Sequence, residues 1–361
     1  MSYALLALGL LALPLVYLTW YMRWQQSRTA GDNYYALPLA GRRKLRRQML
    51  VHARLLLPVT RLLLRITRAP RDIKSMSFQG ITGPLPTCDE DSFRRTAQYR
   101  ASARDVFVVS QMKAGTTWMQ QIAYEIIMRG RGNLGDDGHR HLYAASPWIE
   151  AYSSVSMEQA PLLGEEKLRL IKTHMPVSLC PYDSEAHYLY IARDPVRCFS
   201  STEDFFNHLL GPMAPARSTL LDWFCSDNMF WTAWPEHLAD WWDLAEASEN
   251  VCFVHYESLR NDTRNQLARI AEFLGWQPSE SELDQLQFKT GFEYMRENEE
   301  LFEMSPPNMF SVASDGGFIR RGDQRRDEEL NAASIQRIRE FCKQRLAGRS
   351  YPTSQFYPDL A

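Results

Sequence analysis

The chain of 361 residues contains no C-x-x-C pair; its six cysteines, Cys88, Cys180, Cys198, Cys225, Cys252 and Cys342, are widely scattered. That spacing argues against a disulfide framework and against a thiolate metal site, and points to reduced thiols. Internal repeats and low-complexity tracts are also lacking. Acid is absent from residues 41–71, which hold ten Lys and Arg, although the whole chain is near balance at a formal net charge of −2. The remainder is therefore net acidic. No glycine-rich run of the form G-x-x-x-x-G-K-[ST] precedes a helix. Where a lysine does meet a glycine, at Lys113 and Gly115, the order is reversed, which weakens an ordinary nucleoside-triphosphate reading.

What is present begins with an apolar run over residues 4–22, interrupted only by Pro14 and Thr19. Its length suffices for a membrane span. A cleaved signal peptide is disfavoured, because there is no basic n-region and no small-x-small site near Met22. Tyr17, Trp20, Tyr21 and Trp24 would form an interfacial belt. Arg23, Arg28 and the basic block beyond them predict an outside N-terminus and a cytoplasmic domain. Residues 41–69 combine leucine triplets with Arg42, Arg43, Lys44, Arg46 and Arg47, which suits either an anionic membrane surface or packing on the domain. The leucines argue against a nucleic-acid arm. Residues 70–104, with Gly80, Gly83, Pro84 and Pro86, read as a loop-rich entry.

Three strand ends carry the chemistry. Val106-Phe107-Val108-Val109 is a buried strand that turns through Ser110 to Thr117 into a helix starting near Trp118. Such a turn exposes backbone N–H groups and a helix dipole to an anion, and Lys113, Thr116 and Thr117 add donors. A second strand, Leu168 to Thr173, runs into His174-Met175-Pro176, placing Lys172 and His174 at its end, where open parallel sheets bind ligands. A third, His187 to Ala192, ends at Arg193 and leads into a helix bearing Ser200 and Ser201. Residues 228–244, with four tryptophans and His237, read as a packing helix. A fourth strand, Val251 to His255, precedes Tyr256.

Lys113-Ala114-Gly115-Thr116-Thr117-Trp118 together with Lys172-Thr173-His174 resembles the sulfotransferases that use 3′-phosphoadenylyl sulfate (PAPS). The resemblance runs from about Val106 to Gly322. It implies a single α/β domain with a central parallel β-sheet flanked by helices, related to the nucleotide kinases. It also implies PAPS as donor and no metal. Residues 113–118 would form the 5′-phosphosulfate loop, and Lys172 and His174 would serve the transfer, His174 as general base. Arg193 and Ser201 would meet the 3′-phosphate, joined by Arg320, Arg321 and Gly322 in place of the family's Arg-Lys-Gly. The usual continuation after that glycine is absent. Ser201 would also tether Lys113, and Trp118, Tyr256 and Phe292 would enclose the adenine.

The expected organisation is a transmembrane anchor over residues 1–24, a basic segment over 25–84 and a catalytic domain over 85–361. A kinase would need an acidic Mg²⁺ ligand that the motifs do not supply. A non-catalytic nucleotide-binding membrane protein is the other alternative, opposed by the intact Lys113 and His174. The acceptor, a small molecule or a lipid-like alcohol or amine, would face aromatic stretches in residues 138–156, 205–231 and 301–314. Oligomeric state stays open.

Overall fold

The computed structural model describes residues 2–29, 32–67, 71–85, 87–135, 138–151, 155–304, 319 and 330–360, with side chains of the first helix described from Ala12 onward and those of the second from Tyr34. Three helices come first, α1 (Ser2–Thr29), α2 (Asp32–Tyr35) and α3 (Leu39–Thr67). An antiparallel pair, β1 (Ser75–Phe78) and β2 (Ile81–Pro84), and a helix α4 (Glu90–Gln98) follow within the stretch expected to be loop. Gly83 makes this pair possible, since a Cβ there would come within 2.7 Å of the Phe93 ring.

The central sheet is parallel, in the order β4 (Arg169–Thr173), β3 (Asp105–Val109), β5 (His187–Ala192), β6 (Val251–His255). Its residues alternate between two cores. Phe107 and Val109 join one face, while Val106 and Val108 join the other. Both faces are covered, which is why β3 reads as an unbroken apolar run rather than an alternating one. One face carries α5 (Thr116–Ile127), α11 (Thr263–Phe273) and α12 (Glu280–Lys289). The other carries α7 (Pro195–Leu210), α9 (Trp234–Ala247) and α14 (Ala332–Leu346). The remaining α-helices in chain order are α6 (Leu142–Ala145), α8 (Arg217–Phe224), α10 (Tyr256–Asn261), α13 (Phe292–Glu297) and α15 (Thr353–Phe356). The chain leaves β3 toward β4 on one side and leaves β5 toward β6 on the other. The C-terminal ends of β3 and β5 therefore flank the switch point where such sheets bind ligands.

The N-terminal anchor requires correction. Among the described residues no helix is long and apolar enough to cross a membrane. The residues expected to form an interfacial belt make protein contacts: Tyr21 is fully buried, its hydroxyl donates to the Met49 carbonyl at 3.2 Å, and Tyr17, Tyr21, Trp24 and the half-exposed Trp20 gather round His52 of α3. The side chains of residues 4–11 lie outside the described residues. The single-pass topology, and the cytoplasmic placement derived from it, fall with that helix. Membrane contact through residues 41–69 is likewise unsupported. There α3 packs on α1 through Ala53 and Leu56, and Arg43 and Arg46 pair with Glu300 and Glu303 of the catalytic part. The fold is thus the expected α/β parallel-sheet domain, and the expected transmembrane element is not found among the described residues.

A smaller difference concerns residues 228–244. Only the part from Trp234 is helical, and Pro235 sits in its first turn, where a missing N–H costs nothing. Trp231 and Thr232 lie in a turn at φ +57° and +85°. All six cysteines are free thiols.

Candidate active site

The register of the sheet builds the site. Val109 pairs with Thr173, so the next residues, Ser110 and His174, leave the strand ends side by side. His174 is 4% exposed, and its Nδ1 lies 2.7 Å from the Ser110 carbonyl oxygen. A carbonyl only accepts, so Nδ1 carries the proton and Nε2 holds the lone pair. Burial, reinforced by the positive charge of Lys172, pushes the imidazole pKa well below its ordinary value. The ring is therefore neutral at physiological pH, as a proton acceptor must be. It sits between Trp148, edge-on at 5.2 Å, and Trp231 at 4.7 Å.

The backbone of His174 is held from two sides. Its N–H donates to Glu150 Oε1 at 2.6 Å, and its carbonyl lies 3.0 Å from His237 Nε2. His237 also meets the Tyr190 hydroxyl at 2.9 Å, so this histidine is scaffold, as its place in the packing helix suggested. Gln111 donates to the carbonyls of Phe230 at 2.9 Å and Thr232 at 2.6 Å, fixing the strained turn that brings Trp231 against His174.

Lys172 is 2% exposed. Its Nζ donates to the Tyr143 hydroxyl at 3.2 Å, lies 3.9 Å from Met304 Sδ and 3.7 Å from the Trp148 ring centroid. Burial lowers its pKa to about 7; Glu150 opposes the shift and Lys113 adds to it. Glu150 is fully buried, which raises its carboxyl pKa.

The loop after β3 has the geometry of an anion cradle. Gly115 caps α5 at φ +109°, with no side-chain bond to the first turn. A Cβ there would lie 2.8 Å from the Tyr256 ring, so only glycine lets the loop approach. Thr116 Oγ1 lies 2.6 Å from Ser110 Oγ, and Thr117 bonds the Tyr143 phenol. Lys113 is itself in the left-handed region at φ +64°, and its Nζ lies 4.5 Å above the Phe205 ring. Ala114 is buried behind it. Arg193 donates to the Lys113 carbonyl at 3.2 Å and stacks 4.5 Å over Tyr256, while its Nε is buried without a hydrogen-bond partner. Trp118 meets Tyr256 edge-on at 5.3 Å and donates to the Thr290 carbonyl at 2.8 Å.

The expected residues are thus mostly gathered at one end of the sheet. Ser201 is on α7, one turn before Phe205, hence on the face over which Lys113 reaches. Phe292 is 39% exposed and lies under the Arg296 guanidinium, 5.4 Å from it. Arg320, Arg321 and Gly322 lie outside the described residues. Glu150, Tyr143, Trp148, Trp231 and Gln111 were not singled out by sequence; aromatic content marked the stretches holding four of them but not the individual side chains.

These features define an α/β protein with an anion cradle at the sheet's switch point, the class that handles phosphorylated nucleotides. The family profile described as the sulfotransferase domain matches residues 103–350. Human sulfotransferase 1C2 is 24% identical over 289 residues, covering 77% of this chain and 95% of that relative. The 3-alpha-hydroxysteroid sulfotransferase of Cavia porcellus is 27% identical, over 62% and 77% respectively. Among solved structures, retinol dehydratase in complex with androsterone and the inactive cofactor PAP superposes with a TM-score of 0.62 at 20% identity, over 78% of this chain and 93% of that one. Mouse sulfotransferase SULT7A1 complexed with PAP gives 0.57 at 20% identity, over 76% and 94%. The chain belongs to the sulfotransferase family, and its reaction is sulfuryl transfer from PAPS to an acceptor.

Proposed function

We propose that the unit formed by residues 85–361 transfers the sulfuryl group to a hydroxyl of an apolar acceptor, by in-line displacement with His174 as general base. The observation that carries this reading is the Nδ1 contact of His174 with the Ser110 carbonyl, which leaves Nε2 as a neutral, buried proton acceptor. The donor supplies the activated sulfonate. The residues present fit it: α5 has no side-chain cap, Gly115 at φ +109° lets the loop pass close against Tyr256, and the buried Nε of Arg193 is unpartnered.

In this reading the N–H groups of residues 115–117 hold the 5′-phosphate, with the Thr116 and Thr117 hydroxyls beside them. Lys113 stabilises charge on the leaving oxygen, and Ser201, on the same side of α7 as Phe205, holds Lys113 back until acceptor arrives. Lys172 supports the sulfonate oxygens. Arg193 takes the 3′-phosphate through its forked donors, with Arg320, Arg321 and the Gly322 backbone assigned there by resemblance. Trp118, Tyr256 and Phe292 enclose the adenine. His174 Nε2 removes the acceptor proton, a step contributing about 10²–10⁴-fold.

An acceptor reaching His174 would meet Trp148 and Trp231 beside it and Phe205 beside Lys113, which favours a flat, apolar alcohol or phenol over a charged one. The names of two similar proteins, a hydroxysteroid sulfotransferase and a retinol dehydratase bound to androsterone, agree with that class. The test is transfer of label from PAPS to a panel that includes 2-naphthol and androsterone. His174→Ala is expected to abolish transfer while PAP affinity stays within about threefold. Near wild-type turnover in that variant would refute the base assignment. Mass spectrometry of lipid extracts from cells with and without active protein would identify the physiological acceptor.

A further inference from the structure

The N-terminal helices precede the matched residues 103–350, yet they reach the reacting end of the sheet. Tyr35 of α2 is 7% exposed, and its ring stacks on Tyr143 at 5.7 Å and 27°. Its hydroxyl donates to the Met304 carbonyl. Tyr143 and Met304 are two of the groups that surround the Lys172 ammonium, one through its hydroxyl at 3.2 Å and the other through its sulfur at 3.9 Å. One side chain therefore grips both. The segment that carries Met304 is pinned again by its neighbours, since Tyr34 donates to Glu303 and Arg46 pairs with the same carboxylate. Arg43 adds a contact to Glu300 at 2.9 Å. Arg42, 2% exposed, donates to the Leu37 carbonyl at 2.8 Å and to the Arg140 carbonyl, tying α3 to the chain just before Tyr143.

We propose that the N-terminal helices complete the active site, with Tyr35 a positioning residue that holds Lys172 through Tyr143 and Met304. The inference goes beyond the proposed function and shares with it only the role of Lys172. The physical reason is desolvation. A primary ammonium on a flexible stem keeps one geometry only where every side of it is occupied, and here Trp148, Tyr143 and Met304 occupy it. The charged or titratable groups that face it are Glu150, Lys113, Cys88, His174 and Tyr143. Removing the Tyr35 ring frees Tyr143 and Met304 and admits water to the ammonium.

The test uses the full-length chain with lysine labelled by ¹³C at Cε, and the Lys172 signal assigned with Lys172→Arg. Wild type is expected to titrate near 7. In Tyr35→Ala the midpoint is expected to rise by about one pH unit, because hydration favours the charged form. Tyr35→Phe, which keeps the stacked ring, is expected to move it by less than half as much. Tyr143→Phe, a smaller change at a different link, is expected to shift the midpoint as well. PAP affinity, measured by calorimetry, is expected to stay within about threefold in the two Tyr35 variants; Tyr143→Phe is read by the Lys172 titration alone, since its phenol also bonds Thr117 of the donor loop. An unshifted Lys172 in both Tyr35→Ala and Tyr143→Phe overturns the proposal, and so does a parallel loss of PAP affinity, which would mean general loosening. Because these readouts need no acceptor, failure of the chain to label 2-naphthol or androsterone would count against the acceptor reading alone.

Discussion

At the scale of the residue, the site depends on buried polar groups whose partners are few and specific. Glu150 gives one carboxylate oxygen to the His174 N–H and is the negative charge that holds Lys172 toward its charged form. Glu150→Ala leaves that buried N–H without an acceptor, at a cost of about 1–3 kcal/mol, whereas Glu150→Gln keeps an acceptor there and removes only the charge. The expected outcome for Glu150→Gln is a folded enzyme whose Lys172 titrates below about 7, so that activity is lost at lower pH than in wild type. A pH–rate profile with labelled PAPS checks it; a profile identical to wild type would mean that Glu150 does not act on Lys172. Sequence could point to His174 because strand-end placement and the Lys-Thr-His motif coincide there. It could not point to Glu150, which is an ordinary acid in an irregular segment until the fold buries it.

At the scale of the element, the turn from β3 into α5 is the unit that recognises the donor. Its backbone is committed before any ligand arrives: Lys113 and Gly115 are both at positive φ, and Tyr256 closes the space where a side chain at 115 would stand. Gly115→Ala is therefore expected to cost more in ligand affinity than in fold. The left-handed strain is about 1–2 kcal/mol, and displacement of the Tyr256 ring adds to it. We expect PAP affinity to fall at least tenfold, with only a modest drop in Tm; calorimetry and thermal melts separate the two. Equal affinity in the variant would show that the ring can move aside without loss. Strands β3, β4, β5 and β6 and this turn are legible because each strand is a short, largely apolar run ended by a polar or glycine-bearing break, whereas β1 and β2 lie among glycines and prolines that read as loop. The tryptophan spacing predicts helix from residue 228, but the helix begins only at Trp234, with Pro235 in its first turn.

At the scale of the whole molecule, burial of histidines makes the fold acid-sensitive. His237 is held down to about 4 by desolvation, below its unfolded value near 6.5. A depressed histidine contributes stability that is present above the unfolded pKa and is lost as pH falls toward the folded one. Wild type is thus expected to lose about 1.4 kcal/mol per pH unit more than His237→Gln between pH 6.5 and about 4. The buried acids Glu125, Glu150 and Glu257 are raised and act in the opposite sense, so the comparison is made between the two proteins rather than read from one curve. Denaturant titrations at pH 5 and pH 6 measure it, and equal slopes would place the proton uptake elsewhere. The sequence by itself determined the loop at Lys113 and the strand-end motif at His174, because each rests on residues adjacent in the chain, and the resemblance those motifs carry implied the family, the donor and the parallel α/β sheet. Tertiary structure decided what depends on distant segments meeting. It set the aromatic run at Tyr17 to Trp24, expected as an interfacial belt, against His52, Ala53 and Leu56 of α3. It also brought Tyr35 to the neighbours of Lys172, a contact across more than a hundred residues that no local pattern encodes.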